Sequence, residues 1–146
     1  MERWIRLQMR ERKWSGPWAR ERVANLRHGA GTISKSSGEQ YTGQWFQDMM
    51  HGDGEWTSGC ESYTGQFQFN LQNGSGEWTG VLGQYSGQWV GGKMHGVGRF
   101  SYARGNEYEG EFRDGKPEGQ GSRRFGDGER YDGEWVGGKP GGHGTY

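Results

Sequence analysis

From Trp14 onward the apolar positions ignore helical spacing and follow a strict alternation instead. Ring, glycine and ring occupy every second position: WSGPW at residues 14–18, YTGQW from Tyr41, YTGQF from Tyr63, YSGQW from Tyr85, YEGEF from Tyr108 and YDGEW from Tyr131. The first step is 27 residues, and the next four are 22, 22, 23 and 23. A period of this size marks a repeat array.

Alternation with a period of two is the pattern of a half-buried strand. Tyr41, Gly43 and Trp45 then share one face, and Thr42 and Gln44 take the other. After a turn, Gly52, Gly54 and Trp56 return to the first face. Gly74, Gly76 and Trp78 repeat this, as do Gly96, Gly98 and Phe100, Gly119 and Gly121, and Gly142, Gly144 and Tyr146. The prediction is all-β: an elongated, twisted antiparallel sheet of about six stacked β-hairpins over residues 14–146, with units starting near 14, 41, 63, 85, 108 and 131. Glycine costs a strand conformational entropy. Its place between rings therefore calls for a steric reason, and a neighbouring ring lying across the bare backbone supplies one. A single hairpin of this kind buries too little to fold alone, so neighbours are required.

Turn chemistry agrees. Gly38, Gly59, Gly83, Gly105 and Gly128 lie just before repeat starts, and Asp48, Asn70, Gly92, Gly115 and Gly138 share one position inside the hairpin turn. Pro17 falls on the outward side of the first strand, which is tolerable only at an edge and marks residue 14 as the start of the sheet. The first unit has a longer loop, ARERVANLR. Arg123 interrupts the last aromatic column, with Phe125 two residues on as its substitute on the same face.

Residues 1–13 stand outside the array. Trp4, Leu7 and Trp14 have helical spacing among Arg3, Arg6, Arg10 and Arg12, and Gly16–Pro17 would end a helix there. Three readings stay open for this basic extension: a cap on the first hairpin, a frayed tail, or an interfacial helix. Net charge is zero over 146 residues, yet residues 1–27 carry +5 and the rest −5. That asymmetry points one end toward an acidic partner or surface. It is too modest for a nucleic-acid footprint along the chain. Low hydrophobic content, 29%, argues for disorder alone, but 14% aromatics on a fixed register argue for order. The chain has no membrane-spanning apolar run and no apolar segment behind Arg3 and Arg6 that resembles a secretory signal. With Cys60 alone, a reducing compartment and a cytoplasmic location are expected.

Several apparent catalytic motifs dissolve into the repeat. GQWVGGKM, residues 87–94, imitates a phosphate-binding loop, but the same spelling returns as GEFRDGKP and GEWVGGKP, with no helix to follow. His28, His51 and His95 share the position before a glycine. Equivalent residues of successive hairpins stand roughly 9–10 Å apart, whereas zinc ligands lie about 2 Å from the metal. They read as turn histidines bonded to nearby backbone, and no metal or cofactor is expected. Glu109, Glu111, Asp132 and Glu134 alternate outward on an open face, with no cleft to raise a pKa for acid–base work.

The phrases YTGQW…HGDGEW and YSGQWVGGKMHGVGRF resemble the MORN (membrane occupation and recognition nexus) repeat, Y-x-G-x-W-x-x-G-K-x-H-G-x-G, across residues 14–146. Asn73, Glu118 and Gly141 stand where that pattern has His, and Arg123 where it has a ring. The resemblance implies stacked hairpins in a non-catalytic module that recruits proteins or, less directly, apposes membranes. Related arrays serve cytoskeletal and ciliary scaffolds, junctional membrane proteins and regulatory regions of lipid kinases. The leading expectation is a protein-interaction scaffold of unnamed partner. Candidate contacts are the groove rings Tyr41, Trp45, Tyr63, Phe67, Tyr85 and Trp89, and an apolar turn patch of Phe46, Met49, Met50, Phe69 and Leu71. The alternatives are peripheral membrane or phosphoinositide contact through Arg3, Trp4, Arg6, Arg10, Arg12 and Lys13, and a regulatory array of a larger enzyme. An open edge at Tyr146 would allow end-to-end self-association.

Overall fold

A computed structural model describes residues 4–5 and 26–146. Its strands are β1 (Trp4–Ile5), β2 (Gly29–Lys35), β3 (Gln40–Phe46), β4 (Met49–Ser58), β5 (Glu61–Gln68) and β6 (Leu71–Gly80), then β7 (Gly83–Val90), β8 (Lys93–Tyr102), β9 (Glu107–Arg113), β10 (Lys116–Arg124), β11 (Arg130–Val136) and β12 (Lys139–Thr145). They pair antiparallel in chain order as one open sheet. No helix occurs among the described residues. At about 4.8 Å per strand the sheet runs roughly 50 Å across its strands, so it grows by adding hairpins and not by thickening. Trp4 and Ile5 pair with Lys35 and Ser34, which corrects the helical reading at Trp4 and brings into the sheet a strand that precedes residue 14, the expected start. The remainder of residues 1–13 and the first strand of the unit starting at 14, with Pro17, lie outside the described residues, whereas that unit's returning strand is β2.

One face carries the core. Ten rings interlock edge to face in a single file, Trp45–Tyr41–Phe67–Tyr63–Trp89–Tyr85–Phe112–Tyr108–Trp135–Tyr131, with centroids 4.9–5.4 Å apart. All ten are only 0–6% exposed. The T-shaped geometry places the positive edge of each ring on the negative face of the next. Each hairpin contributes one Tyr and one larger or plainer ring, and each contact between hairpins is a Tyr meeting the following Trp or Phe. The column therefore belongs to no single hairpin.

Glycine makes the column possible. A Cβ on Gly76 would stand 2.2 Å from the Tyr63 hydroxyl, and one on Gly65 would stand 2.4 Å from the Gly76 Cα. The Tyr63 ring lies flat over the paired Gly65–Gly76 backbone of its own hairpin. The same overlap recurs under Tyr41, Tyr85, Tyr108 and Tyr131.

Beneath each Tyr the ladder is bulged. Between Gly43↔Gly54 and Trp45↔Met50 a single residue, Gln44, faces three, His51 to Asp53. A bulge leaves backbone groups unpaired, and Gln44 answers from both sides. Its carbonyl accepts the Tyr41 hydroxyl at 2.8 Å, and its Oε1 accepts the Asp53 N–H at 2.8 Å. Gln66 and Gln88 do the same with Tyr63 and Ser75, and with Tyr85 and Val97. Glu111 copies the arrangement more loosely, with 3.3 Å to the Gln120 N–H. In the last hairpin the Tyr131 hydroxyl has only bonds of 3.3–3.4 Å, to Glu134, Gly141 and His143. Buried hydroxyls in this setting resist ionisation: burial pushes Tyr63, Tyr85 and Tyr108 up to about 12 and raises Tyr41 as well.

Candidate protein-interaction surface

The structure divides the predicted contact residues. Tyr41, Trp45, Tyr63, Phe67, Tyr85 and Trp89 are core, each packed between its neighbours in the ring column. They offer a partner almost no surface, so the groove reading of these six gives way to a packing role. The turn residues are different. Phe46 is 38% exposed, Phe69 51% and Leu71 48%. Met49 pairs with Phe46, and Met50 pairs with Trp45 and packs against the core. Met49 and Met50 also line a cleft of about 540 Å³ with Arg27, Ile33, Tyr41 and Trp45. Of the five turn residues, Phe46, Phe69 and Leu71 are exposed, half-buried Met49 faces Phe46, and Met50 turns to the core face.

Why these turns look as they do follows from backbone geometry. Each hairpin closes with two consecutive residues at positive φ: Gln47 46° and Asp48 69°, Phe69 47° and Asn70 70°, Gly91 57° and Gly92 82°, Asp114 50° and Gly115 82°, Gly137 58° and Gly138 83°. This is the two-residue turn that matches strand twist, and it favours Asn, Asp and Gly. A Phe at positive φ is an outlier for so bulky a residue. Asn70 and Asp48 compensate with side-chain bonds to the preceding unit, Met50 N–H to Asn70 Oδ1 at 2.9 Å and Arg27 N–H to Asp48 Oδ1 at 3.3 Å. The motif resembling a phosphate loop sits at Gly91–Gly92, in such a turn between β7 and β8.

Exposed Phe46 and Phe69 stack with half-buried His28 and His51 on the face opposite the core. His28, Phe46, His51 and Phe69 follow one another at 5.2, 5.5 and 5.2 Å between centroids. His51 is therefore not bonded to backbone as expected. It lies between two phenyl rings, and its Nδ1 is buried with no hydrogen-bond partner. The expected backbone bond appears where histidine is replaced: Asn73 Oδ1 accepts from Gly91 N–H at 3.4 Å, and Glu118 Oε2 from Gly137 N–H at 2.8 Å. With Phe46 between them, His28 and His51 do not converge on a common point.

At the N-terminal end Arg27 lies over the Trp45 ring, 4.3 Å from its centroid, and its Nε is hydrogen-bonded to Asp48. The Arg27 hydrogen bond holds the Asp48 carboxyl below its ordinary value, against the opposing effect of burial. At Glu39 burial works to raise the pKa, but hydrogen bonds from Lys35 and Trp56 together outweigh it and the carboxyl is lowered. Cys60 sits exposed in a turn between hairpins. Of the proposed membrane residues, Trp4 is described only as part of β1, and Arg3, Arg6, Arg10, Arg12 and Lys13 lie outside the described residues.

The model of the MORN repeat matches five consecutive segments, residues 41–59, 63–81, 85–107, 108–130 and 131–146. The chain belongs to the MORN-repeat family. MORN repeats are in general non-catalytic modules of protein or membrane interaction. The match begins at residue 41, with the segment starting at 14 outside it. No curated protein matches the chain in sequence. Within the MORN pattern, sequence reasoning passed over two features that the structure reveals. Gln44, Gln66 and Gln88 were legible as a fixed letter of the repeat, but their service to the bulge was not. By sequence Arg123 is a gap in the aromatic column, whereas its guanidinium stands 5.0 Å from the Tyr102 ring centroid and 5.1 Å from that of Phe125. Phe125 does pack against the core, as its position two residues on suggests.

Proposed function

We propose that this chain is a non-catalytic scaffold that holds a protein partner, in a cytoplasmic assembly of cytoskeletal or ciliary type. The carrying observation is the exposed Phe46–Phe69–Leu71 group on turns whose backbone is held in an unfavourable conformation at Phe69. A large ring both exposed and strained serves neither solubility nor folding. Strain kept at a surface is a pointer to function, and an exposed apolar cluster is a pointer to a partner. Met49, beside Phe46, adds a flexible side chain suited to varied surfaces.

The test is affinity capture with the intact chain against a Met49→Asp, Leu71→Asp variant. Weaker capture with an unchanged β-sheet circular dichroism signal supports the reading. Collapse of the sheet signal would assign those two residues to folding. A second reading, membrane association, draws on the +5 charge of residues 1–27. Flotation with anionic vesicles addresses it: binding should vanish on deleting residues 1–13 and weaken with salt. Salt-insensitive or absent binding removes that reading.

A further inference from the structure

The outer face carries the carboxylates. Glu55, Glu77, Glu109 and Asp132 stand exposed in one register row, with Glu111 in the next. The core face is the reverse. By strand alternation, between Tyr63 and Tyr131 its described strand residues are rings, glycines, Gln72, Met94, Pro117 and one charged side chain, Arg123. In register Arg123 sits between Tyr108 and Tyr131, the place that Trp56, Trp78 and Phe100 take in earlier hairpins. A cation in a ring column is expensive unless something compensates for its lost water.

Part of the compensation is visible. Tyr102 and Phe125 both approach the guanidinium, in the range where ring faces attract a cation. The rest is missing. Nε of Arg123 is buried with no hydrogen-bond partner, and among the described residues no carboxylate pairs with it. The side chain remains half-buried and so reachable from the core face. A planar fork of donors fixed between rings matches a carboxylate in shape as well as charge.

We propose that Arg123, held by Tyr102 and Phe125, is an anchor for an acidic side chain of a protein segment that lies across the core face. This rests on the reading of the chain as a protein-interaction module, and it adds the chemistry of the partner. The face around the anchor is apolar, with Phe100, Tyr102 and Phe125 beside it. The segment therefore carries Asp or Glu next to apolar residues.

The experiment selects random linear peptides on the full chain by display, then measures selected peptides by fluorescence polarisation. Three variants accompany it. Arg123→Trp restores the ring found at Trp56 and Trp78, so it keeps the fold while removing the charge. Arg123→Lys keeps the charge without the fork, and Met49→Asp with Leu71→Asp alters the turn patch. The anchor is supported if enriched peptides carry Asp or Glu, if Asp→Asn or Glu→Gln in the peptide weakens binding about tenfold or more, and if that loss disappears in Arg123→Trp. Arg123→Lys should fall between. Peptides that bind regardless of Arg123 but depend on the turn patch overturn the anchor and leave the scaffold reading standing. Enrichment of no peptide, alongside Arg123-dependent binding to phosphatidylserine vesicles, overturns both in favour of a membrane.

Discussion

Among the described residues, the first two hairpin turns and the last three have the same backbone and opposite chemistry. In β3–β4 and β5–β6 the turn residues are Gln47–Asp48 and Phe69–Asn70, none of them glycine, yet all lie at φ between 46° and 70°. In β7–β8, β9–β10 and β11–β12 glycine fills five of the six positions, and the turns are relaxed. For an ordinary residue the left-handed conformation costs about 1–2 kcal/mol. The early turns recover part of this through Asp48 and Asn70, which bond the preceding unit, a link that Gly92, Gly115 and Gly138 have no side chain to make. The difference teaches what closing the hairpin requires: a glycine pair suffices, so the large ring of Phe69 is not needed for the turn itself.

The comparison holds only if both halves share one core, and alkaline unfolding gives the largest effect by which to break it. Tyr63, Tyr85 and Tyr108 rise from 10.0 to about 12. Unfolded phenols ionise first, so the folded chain binds more protons between those values, and stability falls as pH rises through them. A single cooperative loss of the sheet signal between about pH 10 and 12 is expected. Two separated transitions would mean that the halves fold apart. Next in size, Tyr63→Ala and Tyr108→Ala should each cost about 3–5 kcal/mol in urea unfolding, one in each half. A much smaller loss at either would show that half to be held by something besides the ring column.

Smaller changes sharpen the contrast between the turns. Phe69→Gly should gain about 1 kcal/mol of stability while weakening partner capture, and Gly91→Phe should lose about 1–2 kcal/mol. A stability loss in the first would place Phe69 in the core. Gln66→Ala should cost about 1 kcal/mol by orphaning the Ser75 N–H, detectable as faster amide exchange there. The mildest effect is on the acid side. The Asp48 and Glu39 carboxyls are lowered, so their contribution is complete above the ordinary carboxylate range and lost as pH falls through the folded values. Tryptophan fluorescence of the early hairpin around Trp45 and Trp56 should respond before the sheet signal does.

Much of this was legible in the letters. Ring, glycine, ring at a spacing of two placed Tyr63, Gly65 and Phe67 on one face, and Asp48, Asn70 and Gly92 were legible as one shared turn position, which the structure sets at positive φ. Local rules suffice there, because alternation and turn conformation depend on residues next to one another. The candidate contact site was legible only in part. Alternation puts Trp45 and Phe46 on opposite faces, but it offers both as contacts, and only the packed sheet shows that one is 5% exposed and the other 38%.

By itself the sequence determined the period, the strands, the turns and the aromatic face, since each is written within one repeat and copied. The tertiary structure alone decided how each ring meets the next hairpin, that Gln44 and its counterparts service a bulge, and that Arg123 is a half-buried cation between two rings with its Nε unpartnered. Those depend on what a side chain touches across a strand pair, and a contact between chain segments has no spelling in either segment.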